Sequence, residues 1–283
     1  MACQSPIMRP SRDGFRDVPV PCGRCPPCLK NRVDSWVFRL KQQEKVSTHS
    51  HFITLTYDTQ FVPISPNGFM TLCRDAFPLF MKRLRKLCPD FKLSYYACGE
   101  YGTKKKRPHY HAIVFNVPDD SFFFKAWSLN GVPFGSVHVG QVSGDSIAYC
   151  TKYMNKTEHI KGFLRDDRVP EFSLMSKGMG KNYVNEKTIA YHNADLNRNF
   201  LAIDGGFKIA LPRYYRDRIF SKDAMEDMQD LATGRSLDLD LHNRRYFERK
   251  YRSRPDYTYE QFCNDQRLAR VNSFNSQQSD RDV

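Results

Sequence analysis

His109-Tyr110-His111 sets two histidines one residue apart, at the head of the apolar run Ala112-Ile113-Val114-Phe115. Side chains alternate along a strand, so both imidazoles would project from one face, about 6–7 Å apart. Two converging imidazoles make half of a metal site, although ordinary strand histidines show the same spacing. Glu100, upstream, offers a carboxylate. Downstream, Tyr149-Cys150-Thr151-Lys152-Tyr153 sets two phenols four residues apart. On a helix they share a face, with Cβ atoms about 5–6 Å apart. Core aromatics would fit that spacing too, but Ile147 and Met154 can supply core contacts and leave the phenols facing a sheet. Lys152 stands where its ammonium can steer a phosphate or a developing phenolate.

Glu100, His109, His111, Tyr149 and Tyr153 together compose one chemistry. A divalent ion held by two imidazoles and a carboxylate polarises a phosphate oxygen. A tyrosine oxygen attacks phosphorus and forms a covalent phosphotyrosine, leaving the other strand end as a free hydroxyl. A second tyrosine one turn away can cleave again while the first holds its 5′ end.

These residues need elements to hold them. The segment His51-Phe52-Ile53-Thr54-Leu55-Thr56-Tyr57 reads as a strand, closed by Asp58. A basic amphipathic helix follows from about 74 to 87, then strands from about 92 to 99 and through the histidine pair. Between these two strands, Gly102 to Arg107 makes a basic hairpin loop. A short helix over 122–128, a strand over 135–142 and a helix from Ser143 complete the series. The first six elements have the βαββαβ order of ferredoxin-like domains. The fold class is α+β, with a central antiparallel sheet whose one face is free of the crossover helices. Phe172 to Lys181 reads as a glycine-broken basic loop, 207–213 as a strand and 214–232 as helix.

Upstream lies Pro21-Cys22-Gly23-Arg24-Cys25-Pro26-Pro27-Cys28, with Cys3 nearer the start. Overlapping C-x-x-C spacings suit a structural zinc ion ligated by Cys3, Cys22, Cys25 and Cys28; buried or redox-inert thiols are the alternative. A helix with proline in its first turn follows, its basic face either solvated or phosphate-contacting. Expected boundaries are 1–48 for this cysteine-rich segment and helix, 49–160 for the core, 161–271 for a helical C-terminal extension packing on it, and 272–283 for a disordered polar tail.

The 283 residues carry 44 basic and 31 acidic side chains, a net charge of +13 that points to a polyanionic partner. No apolar run reaches the ~18 residues of a membrane helix, and mean hydropathy is −0.62. No secretory leader pattern opens the sequence, and nine cysteines fit reduced thiols or metal better than disulfides. A soluble, intracellular protein is expected. Gly178-Met179-Gly180-Lys181 lacks P-loop spacing, and no Walker motif occurs, so no ATPase or helicase engine and no nucleotide cofactor is expected.

Phe52 to Tyr57, His109-Tyr110-His111 and Tyr149 to Tyr153 resemble, in order, the three motifs of HUH endonucleases that initiate rolling-circle replication. The tyrosine pair is similar to the two-tyrosine branch of single-stranded-DNA phages. Pro21 to Arg32, Gly99-Glu100-Tyr101-Gly102, Gly178-Met179-Gly180 and Leu211-Pro212-Arg213-Tyr214-Tyr215 resemble the initiators of gokushoviruses, within the Microviridae, over roughly residues 20–220. The resemblance implies a DNA nickase and strand-joining enzyme acting on single-stranded viral origin DNA in the cytoplasm of an infected bacterium. It implies Mg²⁺ or Mn²⁺ on His109 and His111, with Glu100 as third ligand and His138 as a substitute, and Tyr149 and Tyr153 as nucleophiles. Host helicase and polymerase would be partners. Lys104, Lys105, Lys106 and Arg107, and beyond them Lys177 and Lys181, are candidate DNA contacts or solvated loops. A pure single-strand-binding sheet is the competing class, but an RNA-recognition sheet would place stacking aromatics where the histidines stand. Transposases and relaxases share the motifs; the tyrosine pair and cysteine-rich start favour an initiator.

Overall fold

The computed structural model describes residues 3–10, 14, 17–152, 165–203, 206, 208–254 and 256–279. Its elements run β1 (Ile7–Pro10), β2 (Asp17–Val20), α1 (Pro26–Glu44), β3 (Ser50–Thr56), α2 (Ala76–Leu87), β4 (Ser94–Tyr101), β5 (Pro108–Phe115), α3 (Ser121–Ala126), β6 (Ser128–Leu129), β7 (Val132–Pro133), β8 (Val137–Gln141) and α4 (Gly144–Lys152). There follow β9 (Phe172–Met175), α5 (Glu186–Asn193), β10 (Phe200–Ala202), β11 (Lys208–Ala210), α6 (Arg213–Ile219), α7 (Lys222–Lys250) and α8 (Tyr259–Ser279). Two compact units result: Asn31–Asn185 with Ala202–Ala210, and Met1–Lys30 with Glu186–Leu201 and Leu211–Val283.

The first unit is built on a five-stranded sheet in the order β8-β3-β5-β4-β9, with every pairing antiparallel. The expected strand-helix-strand-strand-helix-strand series is present as β3, α2, β4, β5, α3 and β8, interrupted by the small β6–β7 hairpin. That hairpin turns on Asn130-Gly131, both at positive φ, the backbone a tight two-residue β-turn demands.

Strand alternation sorts the sheet into two faces. Ile53, Leu55, Ala97, Tyr110, Ala112 and Val114 point one way and are buried with Phe77, Phe80, Met81 and Leu84 of α2 and with Phe123 and Trp127. Tyr96, Ile113 and Phe115 point the other way. They meet Leu40 of α1, Ile147 and Cys150 of α4, and Met179, with Trp36 and Val37 against them. The face expected to be open is therefore partly roofed, because α1 carries apolar residues at helical spacing. On its basic side Arg39 is neither solvated nor available to phosphate: it stacks on Trp36 at 4.0 Å and donates to the Met179 carbonyl at 3.2 Å.

Three further expectations are corrected. The stretch from Phe172 begins as a strand rather than a loop, since Phe172 and Leu174 alternate into the α2-side core while β9 pairs with β4. The core sheet thus takes its edge strand from residues assigned to the C-terminal extension. The helix expected over 214–232 is two helices, divided at Phe220-Ser221, where the Ser221 hydroxyl caps α7 by accepting from the Ala224 N–H. Finally, α8 runs through Ser279 into the stretch read as a disordered tail. No glycine or proline follows Pro255 to stop it, and Phe262 anchors its start among Tyr246, Phe247, Tyr251 and Tyr259.

Candidate active site

β5 places His109 and His111 on the face that bears α1 and α4, while Tyr110 between them points into the opposite core. Tyr110 is wholly buried there; its hydroxyl donates to the Cys73 carbonyl at 2.7 Å, and burial pushes its phenol up to about 12. The strand is thereby locked in register, which fixes where the histidines emerge.

Register also decides the carboxylate. Glu100 in β4 lies directly opposite His109 in β5, and Cys98 opposite His111. Opposed residues share a face, so the Glu100 side chain meets both imidazoles. One oxygen, Oε1, stands 2.7 Å from His109 Nε2 and 2.9 Å from His111 Nε2. Glu100 is 3% exposed. The other ring nitrogens are occupied: His109 Nδ1 donates to the Arg107 carbonyl at 3.1 Å, and His111 Nδ1 meets Thr54 Oγ1 at 2.9 Å. With Nδ1 engaged, each imidazole presents Nε2 to the site. Such outer partners set ring tautomer and aim in metal centres.

Electrostatics follow from this convergence. Burial by itself would lower the His109 pKa, but the Glu100 hydrogen bond, the Arg107 carbonyl and the charges of Glu100 and Glu171 outweigh it and raise the imidazole above its ordinary value. Without an ion the site therefore tends to keep a proton on His109, and a cation must displace it. The donor set, one carboxylate and two imidazoles with ligand atoms within 4.8 Å of one another, fits a divalent ion. Glu100, His109 and His111 can hold a metal ion.

The tyrosine comes from α4. Ser143 and Ser146 cap that helix reciprocally, each side-chain oxygen accepting from the other's backbone N–H at 3.1 and 2.8 Å. Ile147 and Cys150 are buried against the sheet. Tyr149, 40% exposed, reaches back so that its hydroxyl donates to Glu100 Oε1 at 3.1 Å. Its ring stands edge-on to His111 at 5.0 Å and to Phe52 at 6.4 Å, and Phe52 stacks parallel on His111 at 5.7 Å. Two strands and one helix so deliver a carboxylate, two imidazoles and a phenol to one place. Tyr153 and Met154 lie outside the described residues, as does the side chain of Lys152.

Other expected residues fall elsewhere. His138 is on β8, opposite Thr54, and exposed; it shares the face but not the group of three. Lys104, Lys105 and Lys106 are exposed on the loop between β4 and β5. Arg107 is committed to the fold, donating through Nε to the Tyr57 carbonyl at 3.0 Å and so tying the start of β5 to the end of β3. Lys177 and Lys181 are exposed in the turn after β9. Sequence reasoning missed Thr54 and Phe52 as site residues. Alternation along β3 carried the signal, since both share the face opposite to Ile53 and Leu55.

The four cysteines also meet. The Sγ atoms of Cys3, Cys22, Cys25 and Cys28 lie within 4.8 Å of one another. Backbone N–H groups of Arg24 and Cys25 pull the Cys22 thiol down to about 6, while burial pushes Cys28 up to about 12.

Residues 50–158 match the family model of the ORF2-type replication-associated proteins. The chain is 28% identical over 217 residues to the replication-associated protein ORF2 of Spiroplasma virus 4, covering 71% of this chain and 67% of that protein. It is 28% identical over 222 residues to the replication-associated protein VP4 of Bdellovibrio phage phiMH2K, covering 70% and 66%. It is 25% identical over 248 residues to the replication-associated protein ORF4 of Chlamydia phage 1, covering 77% and 59%. The chain thus spans about two thirds or less of these relatives' lengths. No solved structure matches it.

Proposed function

Residues 50–158 belong to the ORF2-type family of replication-associated proteins, and from that premise we propose that the chain is a gokushovirus-type initiator that nicks and rejoins single-stranded viral origin DNA. The observation that supports this most is the meeting of Tyr149 with the Glu100–His109–His111 group, its hydroxyl 3.1 Å from the carboxylate. A binding sheet needs no such convergence of a phenol on a metal-ligating triad.

The ion would be Mg²⁺ or Mn²⁺, held by Glu100, His109 and His111, and when bound it would supply positive charge to a non-bridging oxygen of the scissile phosphate. Thr54 and the Arg107 carbonyl hold the imidazole rings in the tautomer that leaves Nε2 free to ligate. Tyr149 keeps its hydroxyl proton directed at Glu100 Oε1, so the phenolic oxygen is aligned at the site before DNA arrives. That oxygen attacks phosphorus; the phosphorus–O3′ bond breaks, a 5′-phosphotyrosine forms, and the strand's 3′ oxygen leaves as the hydroxyl that primes synthesis. The phosphodiester's energy is kept in the new bond, so a 3′-hydroxyl can later attack it and rejoin the strand. Tyr153, four residues on, would be the second nucleophile. Lys152 would steer the phosphate or stabilise a phenolate.

The core would be the ferredoxin-like sheet of the HUH endonucleases, whose strand series the β8-β3-β5-β4 order matches. Exposed Lys104, Lys105, Lys106, Lys177 and Lys181 are candidate strand contacts. Host helicase and polymerase would act after the nick, in the cytoplasm of the infected bacterium. No helix among the described residues is long and apolar enough to cross a membrane.

The deciding experiment incubates the full chain with labelled oligonucleotides tiling its own viral strand, in Mn²⁺ and in EDTA, and scores adducts that survive detergent. A metal-dependent adduct is expected, absent from the Tyr149→Phe/Tyr153→Phe double variant. Binding without any adduct would favour the sheet as a passive single-strand binder, and an undiminished adduct in the double variant would end the tyrosine mechanism.

A further inference from the structure

The β1–β2 hairpin has no core of its own. β1 is exposed along its whole length and β2 has no fully buried residue. Ile7 and Met8 are 44% and 55% exposed. A two-stranded ribbon of this kind is at best marginal in water, so its stability must come from something other than apolar burial.

At the open end of the ribbon the two flanking segments, Cys3 and Cys22, are brought side by side, and the Cys22 N–H donates to Cys3 Sγ at 3.2 Å. The chain then turns through Gly23, at φ 74°, and enters α1 with Pro26 at its first position. That turn brings Cys25, immediately before α1, and Cys28, in its first turn, to the same point. All four Sγ atoms lie within 4.8 Å of one another, and Cys3 Sγ is 3.7 Å from Cys25 Sγ. Four thiolates bound at about 2.3 Å to one tetrahedral ion stand about 3.8 Å apart. The spacing is that of a single-ion shell.

The backbone treats these sulfurs as anions. Gln4 N–H donates to Cys25 Sγ at 3.5 Å, and the N–H groups of Arg24 and Cys25 donate to Cys22 Sγ at 3.4 and 3.3 Å. The start of α1 adds the positive end of a helix dipole. None of the four cysteines is in a disulfide.

We infer that Cys3, Cys22, Cys25 and Cys28 form a structural zinc site that fastens the β1–β2 hairpin to the first turn of α1. Four protein thiolates close the tetrahedron and leave no position for substrate, which makes the site structural. Soft thiolates select zinc over the hard ions that suit a carboxylate–imidazole group. Loading is an exchange: one Zn²⁺ binds as the four sulfurs lose whatever protons they carry, so no oxidant or reductant takes part. The site shares no ligand with Glu100, His109 and His111, so it stands whether or not the chain nicks DNA.

The full chain, purified without chelator, should carry about one zinc per molecule by elemental analysis. The Cys22→Ser/Cys25→Ser variant should lose it, and His109→Ala/His111→Ala should keep it. Exchange into Co²⁺ should give the visible spectrum of a tetrahedral all-thiolate site, in wild type and the histidine variant alike. Removing the zinc with a mercurial and chelator should release four thiols and expose the first thirty residues to protease. Because stoichiometry and spectrum are read on wild-type protein, a cysteine variant that misfolds does not rescue the idea. It is overturned by wild-type protein that contains no zinc and takes up no Co²⁺ at thiolates. It is equally overturned if iron replaces zinc, if disulfides link these cysteines, or if the zinc follows the histidine variant.

Discussion

Thr54 illustrates how much of the site rests on residues outside the ligand set. Its hydroxyl engages Nδ1 of His111 at 2.9 Å, and Phe52, two residues earlier on the same face, stacks on the same ring. Both residues orient an imidazole without touching the proposed ion. Loss of such an outer partner typically weakens metal binding about 10- to 100-fold. Thr54→Val removes the hydroxyl and keeps the shape, so Mn²⁺ affinity by calorimetry should fall by about that factor. Far-ultraviolet circular dichroism should stay unchanged. Equal affinity in the two proteins would show that His111 needs no help from Thr54. The carboxylate is a residue-scale case of a different kind: Glu100 is nine positions before His109, and only their cross-strand pairing makes them neighbours.

At the scale of elements, the close approach between the end of β3 and the segment entering β8 sets where the site strand stops. Asp58 N–H donates to the Phe134 carbonyl at 2.8 Å, and a Cβ on Gly135 would lie 2.2 Å from the Thr56 carbonyl oxygen. Backbone on both sides leaves no flexible atom to yield. Gly135→Ala should therefore cost about 1–3 kcal/mol, toward the upper end, read as a lowered urea midpoint. Gly144→Ala, where a Cβ meets nothing within 4 Å, is the control expected to leave stability close to wild type. The helix that follows, α4, is held by its serine cap and by Ile147 and Cys150. Tyr149 can thus remain largely solvent-facing yet keep its hydroxyl on Glu100.

At the scale of the whole molecule, charge governs encounter with a polyanion. The net +13 is distributed widely, but Lys104, Lys105 and Lys106 concentrate three exposed ammonium groups on the loop that joins the Glu100 strand to the histidine strand. Each phosphate contact on single-stranded DNA contributes a slope of about 0.7 to the dependence of log affinity on log salt. Replacing all three lysines by alanine should flatten that slope by up to about 2, measured by fluorescence anisotropy on an oligonucleotide. An unchanged slope would assign the loop to solvent. Arg107 is left out of this test, because it ties β5 to the Tyr57 carbonyl and its loss would disturb the fold.

The sequence by itself determined the local pieces: the histidine pair on a strand, the tyrosine on a helix begun by Ser143, the cysteine spacings, and the alternation of strands and helices from β3 to β8. Those follow from periodicity and turn chemistry, which act over a few residues. It did not determine which acid meets the histidines, that Thr54 and Phe52 support His111, that Arg39 and Arg107 are structural, or that β9 closes an edge of the sheet. Those depend on register and packing between segments far apart in the chain, and a one-residue slip in register would have sent Glu100 to the opposite face. The cysteines divide along the same line. Cys22, Cys25 and Cys28 are near one another by covalent spacing alone, whereas Cys3 joins them because the β1–β2 hairpin folds the chain back on itself.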